Sequence, residues 1–206
     1  MEEHITFPVG EIVLEGLLWA PAHAPEVGVV VCHPHPLYGG DMHNNVVTAL
    51  TEALQQANLL TLRFNFRGVG RSGGRHGEGK AEVDDVQAAV TYLLSRQSVA
   101  TVAVAGYSFS AMVGLQAGAG DARVHRLIGV ALPVGRRDAS FLLTAHKPTL
   151  LISGDHDDIS PLTTLLTLVA RLPEPKHLVT IAGADHFFWG QEPQVAQAAV
   201  AFLQAQ

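Results

Sequence analysis

Three places in this chain hold residue types suited to nucleophilic attack on an electrophilic carbon. Ser108 lies in Gly106-Tyr107-Ser108-Phe109-Ser110, between the apolar run Thr101 to Ala105 and a segment of helical character. A serine hydroxyl is a weak nucleophile until a neighbouring base takes its proton, and a carboxylate that orients the base improves it. The chain offers carboxylates in Gly154-Asp155-His156-Asp157-Asp158 and an imidazole in Gly183-Ala184-Asp185-His186. A sharp strand-to-helix turn would hold the serine in a strained conformation, with its hydroxyl exposed and a helix amino terminus beneath it. The bland readings are an ordinary glycine-containing turn, solvated or capping aspartates and an exposed loop histidine.

Other chemistry-bearing residues weigh differently. Cys32, His33, His35, Asp41 and His43 place a thiol, imidazoles and a carboxylate in one stretch, and all three groups can bind metals. Their spacing fits no standard zinc pattern. Alternate residues of an extended chain also point to opposite sides, so Cys32 does not easily join His33 and His35 in one sphere. A metal site made from His33, His35 and Asp41 stays open as an alternative. Gly68-Val69-Gly70-Arg71-Ser72-Gly73 has the glycine spacing of a dinucleotide fingerprint. That fingerprint needs a helix opening on the glycines and an acid about twenty residues on. Here the helical pattern starts near Ala81 and Leu93 stands where the acid belongs, so the segment reads as a connecting loop and no cofactor is implied. Arg67 or Arg71 is expected to pair with Asp84 or Asp85, the other use of such an arginine being selection of an anionic substrate.

Groups this far apart in sequence must be positioned by the elements between them. Short apolar runs alternate with stretches of helical spacing: Val27 to Cys32 then Val46 to Ala57, Leu59 to Phe64 then Ala81 to Leu94, and Thr101 to Ala105 then Ala111 to Gly118. Thr149 to Ser153 then Leu162 to Leu172, and Leu178 to Ile181 then Val195 to Leu203, complete the series. Five strand-then-helix units predict an α/β fold whose mostly parallel sheet is covered on both faces. Ile12 to Trp19 reads as an antiparallel strand at the sheet edge. Leu127 to Leu132 adds a strand followed by a loop rich in Gly and Arg, for about seven strands in all. Ligands of open parallel sheets bind outside the carboxyl ends of the strands. Ser108, the aspartate cluster, His186 and the segment His33 to Gly40 all follow such ends, so one edge of the sheet gathers them.

The whole chain bounds these readings. Its 206 residues are 48% hydrophobic and 16% charged, which fits one compact domain over 1–206 and excludes disorder and coiled coil. The formal charge is −6, and partly protonated histidines bring it nearer about −3 to −4, a mild acidity that argues against a nucleic-acid partner. The single cysteine excludes an internal disulfide, and the start Met1-Glu2-Glu3-His4 lacks the pattern of a secretory signal, so a cytoplasmic location is expected. No apolar run approaches the roughly 18 residues of a membrane span.

Taken together, the turn at Ser108 and the acid and histidine after later strands resemble the α/β-hydrolase superfamily. Its consensus turn is Gly-x-Ser-x-Gly, and Ser110 stands in place of the second glycine, a departure that a small residue can satisfy. Superfamily members carry nucleophile, acid and base in that order. The pattern Gly-x-x-Asp-x-Val/Ile-x-Pro aligns its acid with Asp157 rather than Asp155 or Asp158, and Gly183-x-x-His186 takes the place of the general base. Asp157 lies 49 residues after Ser108 and His186 another 29 on, each interval enough for a strand and a helix. His-Pro-His-Pro-Leu-Tyr-Gly-Gly from residue 33 and Phe-Asn-Phe-Arg-Gly-Val-Gly-Arg-Ser-Gly-Gly from residue 64 are similar to a small cap-less branch related to dienelactone hydrolases and short-chain carboxylesterases. The likeness covers nearly the whole chain.

The resemblance implies a hydrolase of small carboxylic esters or related acyl compounds, working through Ser108, His186 and Asp157 and an acyl-enzyme. Its oxyanion would sit between the amide of Phe109 and one from the 33–40 loop, His35 or Leu37, because Pro34 and Pro36 have no N–H. Tyr38, Tyr107 and Phe187 are the expected substrate contacts. Phe66, Phe109, Phe141 and Trp189 are further wall candidates unless they serve as core. A small-molecule ester or acyl substrate is the expected partner of a monomer or homodimer, with no nucleic acid or membrane. A non-catalytic ligand-binding or interaction protein on the same fold is the competing reading, which Ser110 leaves open.

Overall fold

The structure, a computed structural model, describes residues 1–97 and 99–205. Glu3–Val9 (β1) and Ile12–Trp19 (β2) form an antiparallel hairpin turned at Gly10, whose φ of +57° suits glycine. β2 also pairs antiparallel with Leu60–Phe64 (β4). The rest of the sheet is parallel and adds Val27–Cys32 (β3), Thr101–Tyr107 (β5), Arg126–Val130 (β6), Thr149–Gly154 (β7) and Lys176–Ile181 (β8). The order across it is β1-β2-β4-β3-β5-β6-β7-β8. Among the described residues eight strands therefore stand where about seven were expected. The additional one is β1, in which only Ile5 and Phe7 are buried among polar neighbours and Pro8, too weak an alternation to single out. It takes the edge expected for Ile12 to Trp19, so β2 is flanked on both sides.

Asn45–Gln56 (α1) and Glu192–Gln204 (α5) cover one face, and Glu82–Arg96 (α2) and Phe109–Gly120 (α3) the other. The division follows from the two-residue period of the strands. Val29 and Val31 of β3, with Ala103 and Ala105 of β5, meet Val46, Leu50 and Leu54 of α1 and Val195 and Ala199 of α5. The alternate residues Val30, Cys32, Val102 and Val104 meet Val86, Val90 and Leu93 of α2 and Met112 and Leu115 of α3. Strands buried on both faces read as continuous apolar runs, which is why the central ones stand out in the sequence. Burying each such Val or Leu contributes about 1.5–3 kcal/mol. Leu162–Val169 (α4) ends three residues before the expected Leu172 and packs Leu165 on the same side as α2 and α3.

Arg67 pairs with Asp85, as one of the expected combinations had it: Nε and Nη2 reach the fully buried carboxylate at 3.0 and 2.6 Å, and the Arg67 amide donates at 3.1 Å. That pair fastens the loop after β4 to the first turn of α2. Arg71 instead gives its amide to Glu15 Oε1 at 2.7 Å. The connection after β6 contains only a short 3-10 turn, Ser140–Thr144, and runs over the carboxyl end of the sheet with Gly135, Arg136 and Arg137. Among the described residues no cap domain is inserted over that end, and no helix is long and apolar enough to cross a membrane.

Candidate active site

Ser108 occupies the turn from β5 into α3 at φ +57° and ψ −114°, a strained region for a residue with a Cβ. The turn is so tight that a Cβ on Gly106 would stand 2.1 Å from the Ser110 carbonyl oxygen, so only glycine fits there. Ser110 is itself part of the construction. Its Oγ accepts from the Tyr107 amide at 2.9 Å and donates to the Cys32 carbonyl at 2.7 Å, tying the turn to the neighbouring strand β3.

His186 follows β8. Its Nε2 lies 2.8 Å from Ser108 Oγ and its Nδ1 lies 2.8 Å from Asp157 Oδ2. The histidine side chain is 8% exposed and the Asp157 carboxyl is fully buried, so little water competes for these contacts. The other carboxyl oxygen accepts from the amides of Ile159 at 2.9 Å and Ser160 at 2.7 Å, which fixes its rotation. Asp155 and Asp158 do not reach the imidazole. Asp155 accepts from the Gly183 amide at 2.7 Å and pins the segment leading to His186, while Asp158 is exposed. Tyr107 donates its hydroxyl to the His186 carbonyl at 2.8 Å. Burial, reinforced by the charges of Asp157, Asp185 and Glu192, pushes the phenol up, so it remains a donor. An imidazole between a hydroxyl and a carboxylate can take a proton from the attacking oxygen and return it to a leaving group.

The 33–40 loop stands beside this group, and most of its amides are committed. Tyr38 and Gly40 donate to the His35 carbonyl, Gly39 to the Pro36 carbonyl, and Leu37 to His35 Nδ1 at 3.2 Å. Leu37, expected as a possible oxyanion donor, is therefore engaged within the loop, and the residue is 69% exposed. The amides of His35 and Phe109 meet no protein acceptor among the described residues, and both residues line the cavity that holds Ser108.

His33 braces the loop rather than reacting. Its Nδ1 donates to the Pro34 carbonyl at 2.7 Å and its Nε2 accepts from the Phe66 amide at 3.1 Å. Burial brings its imidazole down to about 4. With both nitrogens of His33 engaged and His35 Nδ1 holding Leu37, the alternative metal set of His33, His35 and Asp41 is not assembled. Among the described residues no group of three or more His, Cys, Asp or Glu converges as ligands. Cys32 is buried, and burial pushes its thiol up, which makes it inert.

A cavity of about 620 Å³ opens over Ser108. Tyr38, Tyr107 and Phe187, the expected contacts, all line it, as does Phe109. Phe66 is fully buried behind Phe109, Phe141 is half-buried against the core, and Trp189 is 72% exposed outside the lining. Arg136 and Arg137 line the cavity and were missed as site residues. The available signal was their place in a Gly- and Arg-rich connection after a strand's carboxyl end.

No protein-family model matches the chain. An uncharacterised protein of Rickettsia prowazekii is 34% identical over 180 residues, covering 82% of this chain and 76% of its own length. An alpha-beta serine hydrolase homologue from Coxiella burnetii is 35% identical with a TM-score of 0.88, covering 98% of this chain and 97% of that one. A serine hydrolase without lid from Xanthomonas campestris is 31% identical with a TM-score of 0.85, covering 100% and 96%. The sheet, its covering helices and the serine at the β5–α3 turn define an α/β hydrolase. Within that class, the chain belongs to the α/β serine hydrolases that carry no lid.

Proposed function

We infer that the chain cleaves small carboxylic esters or related acyl compounds through Ser108, His186 and Asp157 and an acyl-enzyme intermediate. One arrangement carries the reading: a hydroxyl and a carboxylate on opposite nitrogens of one imidazole, each at 2.8 Å, beside two uncommitted amides. His186 Nε2 takes the Ser108 proton as Oγ attacks the acyl carbon, and the carbonyl oxygen becomes an oxyanion between the amides of His35 and Phe109. The bond to the leaving oxygen then breaks, and that oxygen takes the proton from His186. Water next attacks the acyl-enzyme, giving a proton to His186, and Ser108 recovers it as the acid departs. Asp157 holds the imidazole in the tautomer and direction this requires. Each backbone donor is worth about 3 kcal/mol of transition-state stabilisation, and no substitution short of proline deletes it. Tyr38, Tyr107 and Phe187 contact the substrate in a cavity suited by size to a small ester.

Intact-mass analysis after treatment with a small fluorophosphonate tests the assignment. One adduct is expected on the native chain and none on Ser108→Ala, with 4-nitrophenyl acetate turnover lost at least about 10³-fold in the variant. An adduct of equal yield on the variant would move the nucleophile elsewhere. No adduct on either chain, with no turnover, would leave a binding protein on this fold.

A further inference from the structure

The cavity over Ser108 carries positive charge that the acyl-transfer steps do not use. Arg136 and Arg137 both line it, and no carboxylate side chain does. Of the eight other arginines, four hold carboxylates at 2.5 to 3.0 Å: Arg63 with Glu2, Arg67 with Asp85, Arg96 with Glu3 and Arg123 with Asp121. Acidic side chains outnumber basic ones 19 to 13, so partners are plentiful. Among the described residues, neither Arg136 nor Arg137 has a carboxylate within ion-pair distance.

Arg137 is also held in position. Its guanidinium carbon lies 5.4 Å from the centre of the Phe109 ring, a cation–π contact, and its Nη1 donates to the Glu78 carbonyl at 3.4 Å. Gly79, at φ +89°, leaves room for it: a Cβ there would stand 2.8 Å from that Nη1. Phe109 follows Ser108 directly and offers its amide to the oxyanion, so the guanidinium is anchored one residue from the nucleophile. Its charge is felt at His35, whose ring packs 4.7 Å from the same Phe109 ring. Burial, then the charges of His76 and Arg137, hold the His35 imidazole below its ordinary value. Stacking on Phe109 would occupy one arginine, but the Arg136 side chain makes no hydrogen bond to the protein among the described residues.

We propose that this cavity selects esters bearing an anionic group on one arm, with Arg136 and Arg137 as its counter-charges and Tyr38 and Phe187 against the uncharged arm. The proposal rests on the Ser108 hydrolase reading. A guanidinium donates two N–H groups in a plane and matches a carboxylate fork, and a pre-held guanidinium loses less freedom on binding. The carboxylate supplies two guanidinium groups with the counter-charge that no side chain among the described residues gives them.

Two ester pairs test it: the 4-nitrophenyl hemiester of adipic acid against its terminal amide, and 4-acetoxybenzoate against 4-acetoxybenzamide. The first pair places the charge on the acyl arm and the second on the leaving arm. The kcat/KM ratio within each pair is measured for the native chain, R136Q/R137Q and R136E/R137E. In at least one pair the native chain is expected to favour the carboxylate by about tenfold, mainly through KM, with the preference shrinking as salt is added. R136Q/R137Q should remove that preference and R136E/R137E should reverse it. Comparing ratios between proteins cancels the intrinsic reactivity of the esters. Hydrolysis of both pairs by the native chain without preference overturns the proposal and leaves the hydrolase reading standing. A preference that survives R136Q/R137Q overturns it too, while hydrolysis of no ester by the native chain overturns the hydrolase reading and this proposal with it.

Discussion

At Ser110 a hydroxyl supplies what a glycine could not: an acceptor for the Tyr107 amide and a donor to Cys32, 78 residues away. The departure from the consensus turn is thus a cross-strand tie, and nothing local in the sequence marks it as one. His33 is the same kind of residue, since its partners are a carbonyl one residue on and an amide 33 residues on. It makes a testable contribution to acid stability. In the folded chain burial holds this imidazole neutral down to about pH 4, whereas a histidine of the unfolded chain takes up its proton near about pH 6.5. The unfolded state therefore binds more protons in that window. Stability is complete above pH 6.5 and declines as the pH falls toward 4, by about 3 kcal/mol in all. Urea midpoints measured from pH 7.5 to 4 should show this slope, and His33→Gln should flatten it. A slope equally steep in the variant would place the acid sensitivity at another group.

Elements were legible wherever a pattern repeats over enough residues. The central parallel strands and most of the helices could be read from period and length, because burial on both faces leaves continuous apolar runs between helical stripes, while α3, buried almost all round, shows as a helix by length alone. β1 could not, since two buried residues in seven do not make a period. The edge that gathers Ser108, Asp157 and His186 follows from the strand–helix order, but the choice among three aspartates does not. It depends on which side chain turns toward β8, and the bonds from Ile159 and Ser160 that decide this form only when the loop closes. Arg136 and Arg137 were invisible as site residues for a related reason: the path of an irregular connection is set by what it packs on. The loop after β4 is fixed more firmly, by Arg67 against the fully buried Asp85. Burial pushes that carboxyl up even against the pull of Arg67, so removing the guanidinium leaves a charge with no compensation. Arg67→Met is expected to destabilise the fold by about 3–5 kcal/mol in urea unfolding, and a loss under about 1 kcal/mol would mean that water reaches Asp85.

On the scale of the whole molecule, the described residues form the sheet and its helices, and among them none makes a cap over the cavity at Ser108. On the hydrolase reading, turnover is expected to proceed without the closure of a lid. Ester hydrolysis is expected to follow simple saturation as substrate concentration passes its solubility limit, with no jump when droplets appear, and a sharp rise at that limit would point to a moving cover. The contact between Ser108 and His186 joins residues 78 apart, and the Tyr107 hydroxyl reaches a carbonyl 79 residues away. Contacts of such long sequence separation form late, because the loops between them must close first. On the hydrolase reading, turnover regained after denaturation is then a clock for the meeting of the β5–α3 turn with the segment after β8: the first cleaved ester marks the moment those two distant stretches of chain come together.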